Sequence, residues 1–316
     1  MLAERVSPQT PCALAPAARA TEPTFPSWRA GELSAPSCAV AGPIVPGTGA
    51  LPRLRWGTDG VVGAGSVGAY ALSRGIGITR RNVPPQGLDP SNVSLGMDRR
   101  SIGRPSTGAD KASDVTLVVT MVGAPVLALL TQPGVHGFAN VVRRPLVLYG
   151  ESLLLAEAGS QILKRSVDRP RPFTYLPASE RPGSSAYDVD SDGAFLSMPS
   201  GHATISFTAA SFAATDNLLS RPDAGWQEHV AVASLGALLA GATSNLRVRA
   251  DQHFPSDVLV GGLIGTVSGA SVPLLHRYVF PGGRLAPRPP GHAWLEAAAG
   301  YLLGAGVGVG LSSLAY

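Results

Sequence analysis

The chain has 316 residues, enough for one large domain or two small ones with a full core. Only 15% of residues are charged against 45% hydrophobic, whereas soluble domains carry about 25% charged residues. This balance leans toward a membrane protein whose polar loops and tail dilute its mean hydropathy to +0.17. A mild net charge of +4, with no Lys/Arg stripe interleaved with aromatics, argues against a nucleic-acid partner.

Residues 1–55 hold nine prolines and no long apolar run, the composition of a disordered tail without the apolar core of a secretory signal. Cys12 and Cys38 lie there, too few for a disulfide framework or a zinc site. Residues 56–113 are expected to form a weak first helix, interrupted by Arg74, and a polar loop. From 114 to 280 the chain reads as a helical bundle. Its apolar segments are 115–132, 146–164 and 202–219, then 17 uncharged residues between His229 and Arg247 and 18 between Asp257 and His276. A membrane helix needs about 20 mostly apolar residues, so some of these runs suffice and others fall slightly short. Their many small residues suit close helix packing. The expected fold is an all-α, membrane-embedded bundle of about six transmembrane helices; run length leaves a soluble all-α bundle open as the alternative. Residues 281–316 form a C-terminal extension whose last 20 residues are uncharged. Alternating glycines at 304–310 weaken a helix there, so a seventh span is left open.

Three clusters carry chemistry. The first is "KRSVDRPRPF", 164–173, where Lys164 and Arg171 offer fixed positive charge and Arg171 sits on a proline-stiffened stretch. The second is "MPSGHATISF", 198–207. Pro199 and Gly201 shape a turn, Ser200 supplies a hydroxyl, and the following helix begins with unpaired N–H groups that favour an anion. His202 stands there either as a proton donor or as an incidental histidine behind an N-cap serine. The third is "NLRVRADQHFPSDVLVGG", 245–262, where Arg247 closes one helix and Asp257 lies four residues beyond His253. At that separation a carboxylate can accept the imidazole Nδ1–H and leave Nε2 as an oriented base or nucleophile. Arg165, Arg169 and Arg249 read as loop or interface charges and Asp251 as a solvated loop acid. Glu151 and Glu157 are too far apart in helical phase to pair with each other, so each is expected to meet a basic or polar neighbour. In an up-and-down bundle all these helix ends share one face. Three cations, a helix N-terminus and two histidines then read as metal-free phosphoryl transfer, with no metal or other cofactor expected.

The clusters resemble the three-part signature of the type 2 phosphatidic acid phosphatase superfamily. Lys164, six residues and Arg171-Pro172 match its first part; Pro199-Ser200-Gly201-His202 match its second; Arg247, five residues, His253, three residues and Asp257 match its third. Leu246 departs from the serine of the signature. The resemblance spans about 115–280 and implies a phosphatase in which His253 attacks phosphorus, Asp257 orients it and His202 protonates the leaving oxygen. Lys164, Arg171, Ser200, Gly201 and Arg247 then bind phosphate. It implies a lipid phosphate or isoprenyl diphosphate as substrate and six transmembrane helices in its membrane branch. The site is expected on the extracytoplasmic face of a cell inner membrane. A vanadium-dependent haloperoxidase, with His253 on the metal, and a non-catalytic lipid-phosphate binder are the competing functions. Oligomeric state is not legible.

Overall fold

The computed structural model describes residues 56–78, 81–103, 105–131, 138–279 and 288–315; the Pro-rich segment with Cys12 and Cys38 lies outside them. Eight α-helices carry the described chain: α1 Trp56–Ser73, α2 Gly96–Ser101, α3 Thr107–Leu130, α4 Phe138–Val167, α5 Gly201–Ser220, α6 Trp226–Arg249, α7 Pro255–Tyr278 and α8 Gly291–Ala315. No strand occurs among the described residues. Among the described residues, helices α3, α6, α7 and α8 are long and apolar enough to cross a membrane: three of the six expected spans, and the C-terminal one left open.

For α5, one of the three expected spans that fall short, there is a physical cause. This helix packs against α3, α4, α6 and α7 and buries most of its length, including Thr204, Ser206, Thr208 and Asp216. A helix wrapped by other helices meets no lipid, so its composition need not be strongly apolar. The outer helices show the reverse. On α3, Val115, Val118, Val119, Val122, Val126 and Leu130 are all exposed, and on α7 Leu259, Leu263 and Val267 form an outward stripe. An apolar exterior around a Ser/Thr/Gly/Ala interior is compatible with a membrane protein.

Helix ends follow local rules. Ser106 caps α3 by accepting from Ala109 N at 3.1 Å, which starts the helix eight residues before the apolar run and places Asp110 and Asp114 on it. Pro255 opens α7 in the first turn, where its missing N–H costs nothing. Helices α5 and α7 touch through Gly261, Gly265 and Gly269. A Cβ at Gly261 would lie 2.5 Å from Ser200 O, and Cβ atoms at the other two would overlap α5 backbone.

The alternating glycines of 304–310, expected to weaken a helix, lie inside α8. Gly300, Gly304 and Gly308 recur every four residues against Val230, Ser234 and Leu238 of α6, while Gly306 and Gly310 face open space. Backbone-to-backbone packing offsets their low propensity. At the end opposite the three sequence clusters, buried polar pairs tie α4 to its neighbours. Arg144 meets Asp216 of α5 at 3.0 Å, and Glu151 meets His276 of α7 at 3.0 Å. Glu157 accepts from Gln161 at 2.8 Å.

Candidate active site

The C-terminal ends of α4 and α6 and the N-terminal ends of α3, α5 and α7 meet at one end of the bundle, with the 168–200 and 250–254 loops between them. Lys164, Arg171, Arg247 and His202 all lie close enough to His253 for their charges to act on it. The side chains of the three sequence clusters are thus brought together.

The His253 ring is almost wholly buried, 2% exposed. Its Nδ1 lies 2.7 Å from the backbone oxygen of Ser197. A carbonyl can only accept, so Nδ1 carries the proton and Nε2 keeps its lone pair. The expected partner, Asp257, does not make this bond: its Oδ2 stands 3.8 Å from Nδ1. That carboxylate sits in the first turn of α7, where Oδ2 accepts the Phe254 amide at 2.8 Å and the Ser197 hydroxyl at 2.5 Å. Asp257 therefore holds the Ser197 loop, and the loop holds the imidazole.

Arg169 is no peripheral loop charge. Its Nη1 donates to Asp257 Oδ1 at 2.6 Å and to Ser256 Oγ at 2.7 Å, and its Nη2 to Asp98 Oδ2 of α2 at 2.8 Å. The guanidinium also lies 4.1 Å from the Phe254 ring centroid. Asp98 is fully buried and takes the Ser256 amide at 3.0 Å. Asp251, expected to be solvated, is also fully buried and accepts from Gly103 N at 2.9 Å. Its φ of +52° is a left-handed conformation uncommon for a non-glycine residue, two positions before His253. Arg165 and Arg249 bond main-chain oxygens of Ile76 at 3.3 Å and Ser313 at 2.9 Å.

The phosphate-binding candidates are held as follows. Arg171 donates through Nε to Gly193 O at 2.7 Å and through Nη1 to Gln252 Oε1. Burial, and then Arg247 beside it, lower its pKa to about 9. Arg247 Nη1 meets Asp110 Oδ1 at 2.6 Å, whereas its buried Nε makes no hydrogen bond among the described residues. A cationic donor left in that state suits an oxyanion. The Lys164 ammonium lies over Gly201, where a Cβ would stand 3.0 Å from Nζ; glycine at 201 is what admits it. Ser200 departs from the expected role. Its amide donates to Asp257 O at 3.0 Å and its hydroxyl caps α5 from Ala203 N at 3.4 Å. The first-turn amides of Gly201 and His202 remain as the helix's own donors. His202 is 24% exposed and its Nε2 lies 2.8 Å from Asp114 Oδ1 of α3.

Burial, followed by Arg171, Arg247 and Lys164, holds the His253 imidazole well below the ordinary histidine range. It is neutral at neutral pH. Among the described residues no group of three or more His, Cys, Asp or Glu is placed to hold a metal ion. A cavity of about 570 Å³ opens between α5, α7 and α8, lined by Phe207, Leu218, Leu259, Leu263, Trp294 and Tyr301. At about 100° per residue these positions fall on the faces of α5 and α7 turned away from His202 and Asp257, so it is not the phosphate site.

Sequence reasoning missed Asp98, Asp110, Asp114, Ser197 and the weight of Arg169. Asp110 and Asp114 had a usable signal: carboxylates at i and i+4, opening an apolar run on the catalytic side of the count. Ser197 and Asp98 had none, because their roles arise from loops meeting in space.

In an all-helical bundle, an oriented imidazole among buried cations is suited to phosphoester hydrolysis. The family model of the PAP2 superfamily matches residues 145–281, α4 to just past α7. Over that stretch, which is less than half of the chain, it is similar to the type 2 phosphatidic acid phosphatase superfamily, whose members are phosphatases, and the match supports a phosphoester hydrolase. No curated protein and no solved structure matches the chain.

Proposed function

We propose that this protein is a membrane-embedded, metal-independent phosphatase that hydrolyses a lipid phosphate or isoprenyl diphosphate through a phosphohistidine. One observation carries the reading: His253 gives its Nδ1–H to Ser197 O at 2.7 Å, leaving the Nε2 lone pair beside Lys164, Arg171 and Arg247. Nε2 attacks phosphorus as the P–O bond to the leaving group breaks, and His202 delivers a proton to the departing oxygen. A water, relieved of a proton by His202, then attacks the phosphohistidine and releases inorganic phosphate. The three cations and the Gly201 and His202 amides hold the equatorial oxygens where charge spreads in the transition state. The apolar outer faces of α3 and α7 support a lipid-borne substrate, and the superfamily supports an extracytoplasmic site in a multi-pass protein.

The test is phosphate release by detergent-purified protein on phosphatidate, phosphatidylglycerol phosphate, undecaprenyl diphosphate and a soluble ester. His253→Ala is expected to abolish turnover on every substrate the wild type accepts, and rapid quenching of wild type to trap an acid-labile phosphoenzyme. Equal rates for the two proteins would reject His253 as nucleophile.

A further inference from the structure

Asp114 of α3 lies outside the segment matched by the family model, yet its carboxylate is 2.8 Å from Nε2 of His202. The contact is specific to one ring nitrogen; the other, Nδ1, makes no hydrogen bond among the described residues. Asp114 is 62% exposed while the ring it holds is 24% exposed, so the pair stands at the open side of a site whose nucleophile is buried. The other charged groups acting on the ring are Arg247 of α6 and Arg171 of the loop after α4. His202 in turn acts on His253, and Lys164 of α4 lies over the adjacent Gly201.

We infer that Asp114 is the positioning residue of the proton donor: it anchors His202 through Nε2 and thereby makes Nδ1 the nitrogen that protonates the leaving oxygen. The carboxylate accepts Nε2–H, which fixes the ring plane, and its charge opposes the burial and the Arg247 and Arg171 charges that disfavour protonation, so it stabilises the doubly protonated ring whose Nδ1–H is the proton given up. Against the charges of Arg247 and Arg171, Asp114 supplies the opposing negative charge. In the first half-reaction the Nε2–phosphorus bond of His253 forms and the P–O bond breaks. The departing oxygen keeps the electron pair and takes the Nδ1 proton of His202. In the second half-reaction Nδ1 recovers a proton from the attacking water, so the cycle closes with no other reactant. Asp110, one turn earlier, is committed to Arg247, so α3 steadies the anion-binding cation with one carboxylate and the acid with the next.

This inference rests on the reading of His202 as proton donor, and the experiment separates the two. The full-length chain in detergent is assayed on p-nitrophenyl phosphate, whose leaving group needs little protonation, and on octyl phosphate, whose alkoxide cannot leave without it. Asp114→Asn is expected to lower kcat on octyl phosphate about 10–100-fold while p-nitrophenyl phosphate changes little, and Asp114→Glu to recover part of the loss. His202→Ala is expected to show the same preference more strongly, since general acid catalysis contributes about 10²–10⁴-fold. If Asp114→Asn slows both substrates equally, or neither, while His202→Ala discriminates, the inference fails and the proton-donor role stands. If His202→Ala does not discriminate, both fall.

Discussion

At the residue scale, the proposed chemistry turns on one imidazole, and its setting sets the pH range expected for it. A histidine attacks only when neutral. Burial is the largest cause lowering the pKa of His253, and Arg171, Arg247 and Lys164 add to it. The sign follows: as pH falls, protonation of His253 is postponed, and activity survives below the ordinary histidine value of about 6.5. The acidic limb of kcat/KM is therefore expected below about pH 6.5, and Arg171→Met should move that limb upward by removing a neighbouring charge. A limb at or above the ordinary value, unmoved in the variant, would contradict the buried cationic setting. Asp257 illustrates how spacing can name the right residue and the wrong contact. Four residues after His253, it was expected to take the Nδ1 proton; it stands 3.8 Å away because the start of α7 and Ser197 occupy its Oδ2.

At the scale of elements, glycine rows set how closely helices approach. Gly261, Gly265 and Gly269 let α7 lie on α5, which brings the first turns of both helices together at the site. Gly265→Leu is expected to destabilise the protein by about 1–3 kcal/mol or more through overpacking. Gly123→Ala, with nothing within 4 Å of its Cβ position, should gain up to about 1 kcal/mol of helix propensity. Thermal midpoints in one detergent compare the two directly. A Gly265→Leu protein as stable as wild type would mean that the α5–α7 seam is not packed backbone to backbone. Similarly, α8 is a helix because Gly300, Gly304 and Gly308 rest on α6.

For the whole molecule, polarity runs from an apolar outside to a polar inside. Exposed valines and leucines coat α3, α7 and α8, while Arg144, Asp216, Glu151 and His276 are buried in pairs. Water is a poor solvent for such a surface. The protein is expected to stay with the membrane fraction after an alkaline carbonate wash and to enter solution only with detergent; release by the wash would count against embedding. The proposed catalytic groups gather at one end, and α2 and α3, which precede the family-matched stretch, contribute Asp98, Asp110 and Asp114 at that same end.

Sequence alone determined the all-helical class and the convergence of Lys164, Arg171, His202, Arg247 and His253, because alternating helix ends of an up-and-down bundle fall on one face. It also pointed to phosphate chemistry, an expectation that the family match supports at the level of a phosphoester hydrolase. Tertiary structure decided what holds each ring. The Ser197 carbonyl, the Arg169–Asp98–Asp257 network and the Asp114–His202 pair join positions far apart in the chain, and no periodicity or motif spacing encodes which loop oxygen meets which nitrogen. It likewise decided which helices face outward: α5 reads as weakly apolar because its neighbours shield it, a fact of packing that composition does not carry.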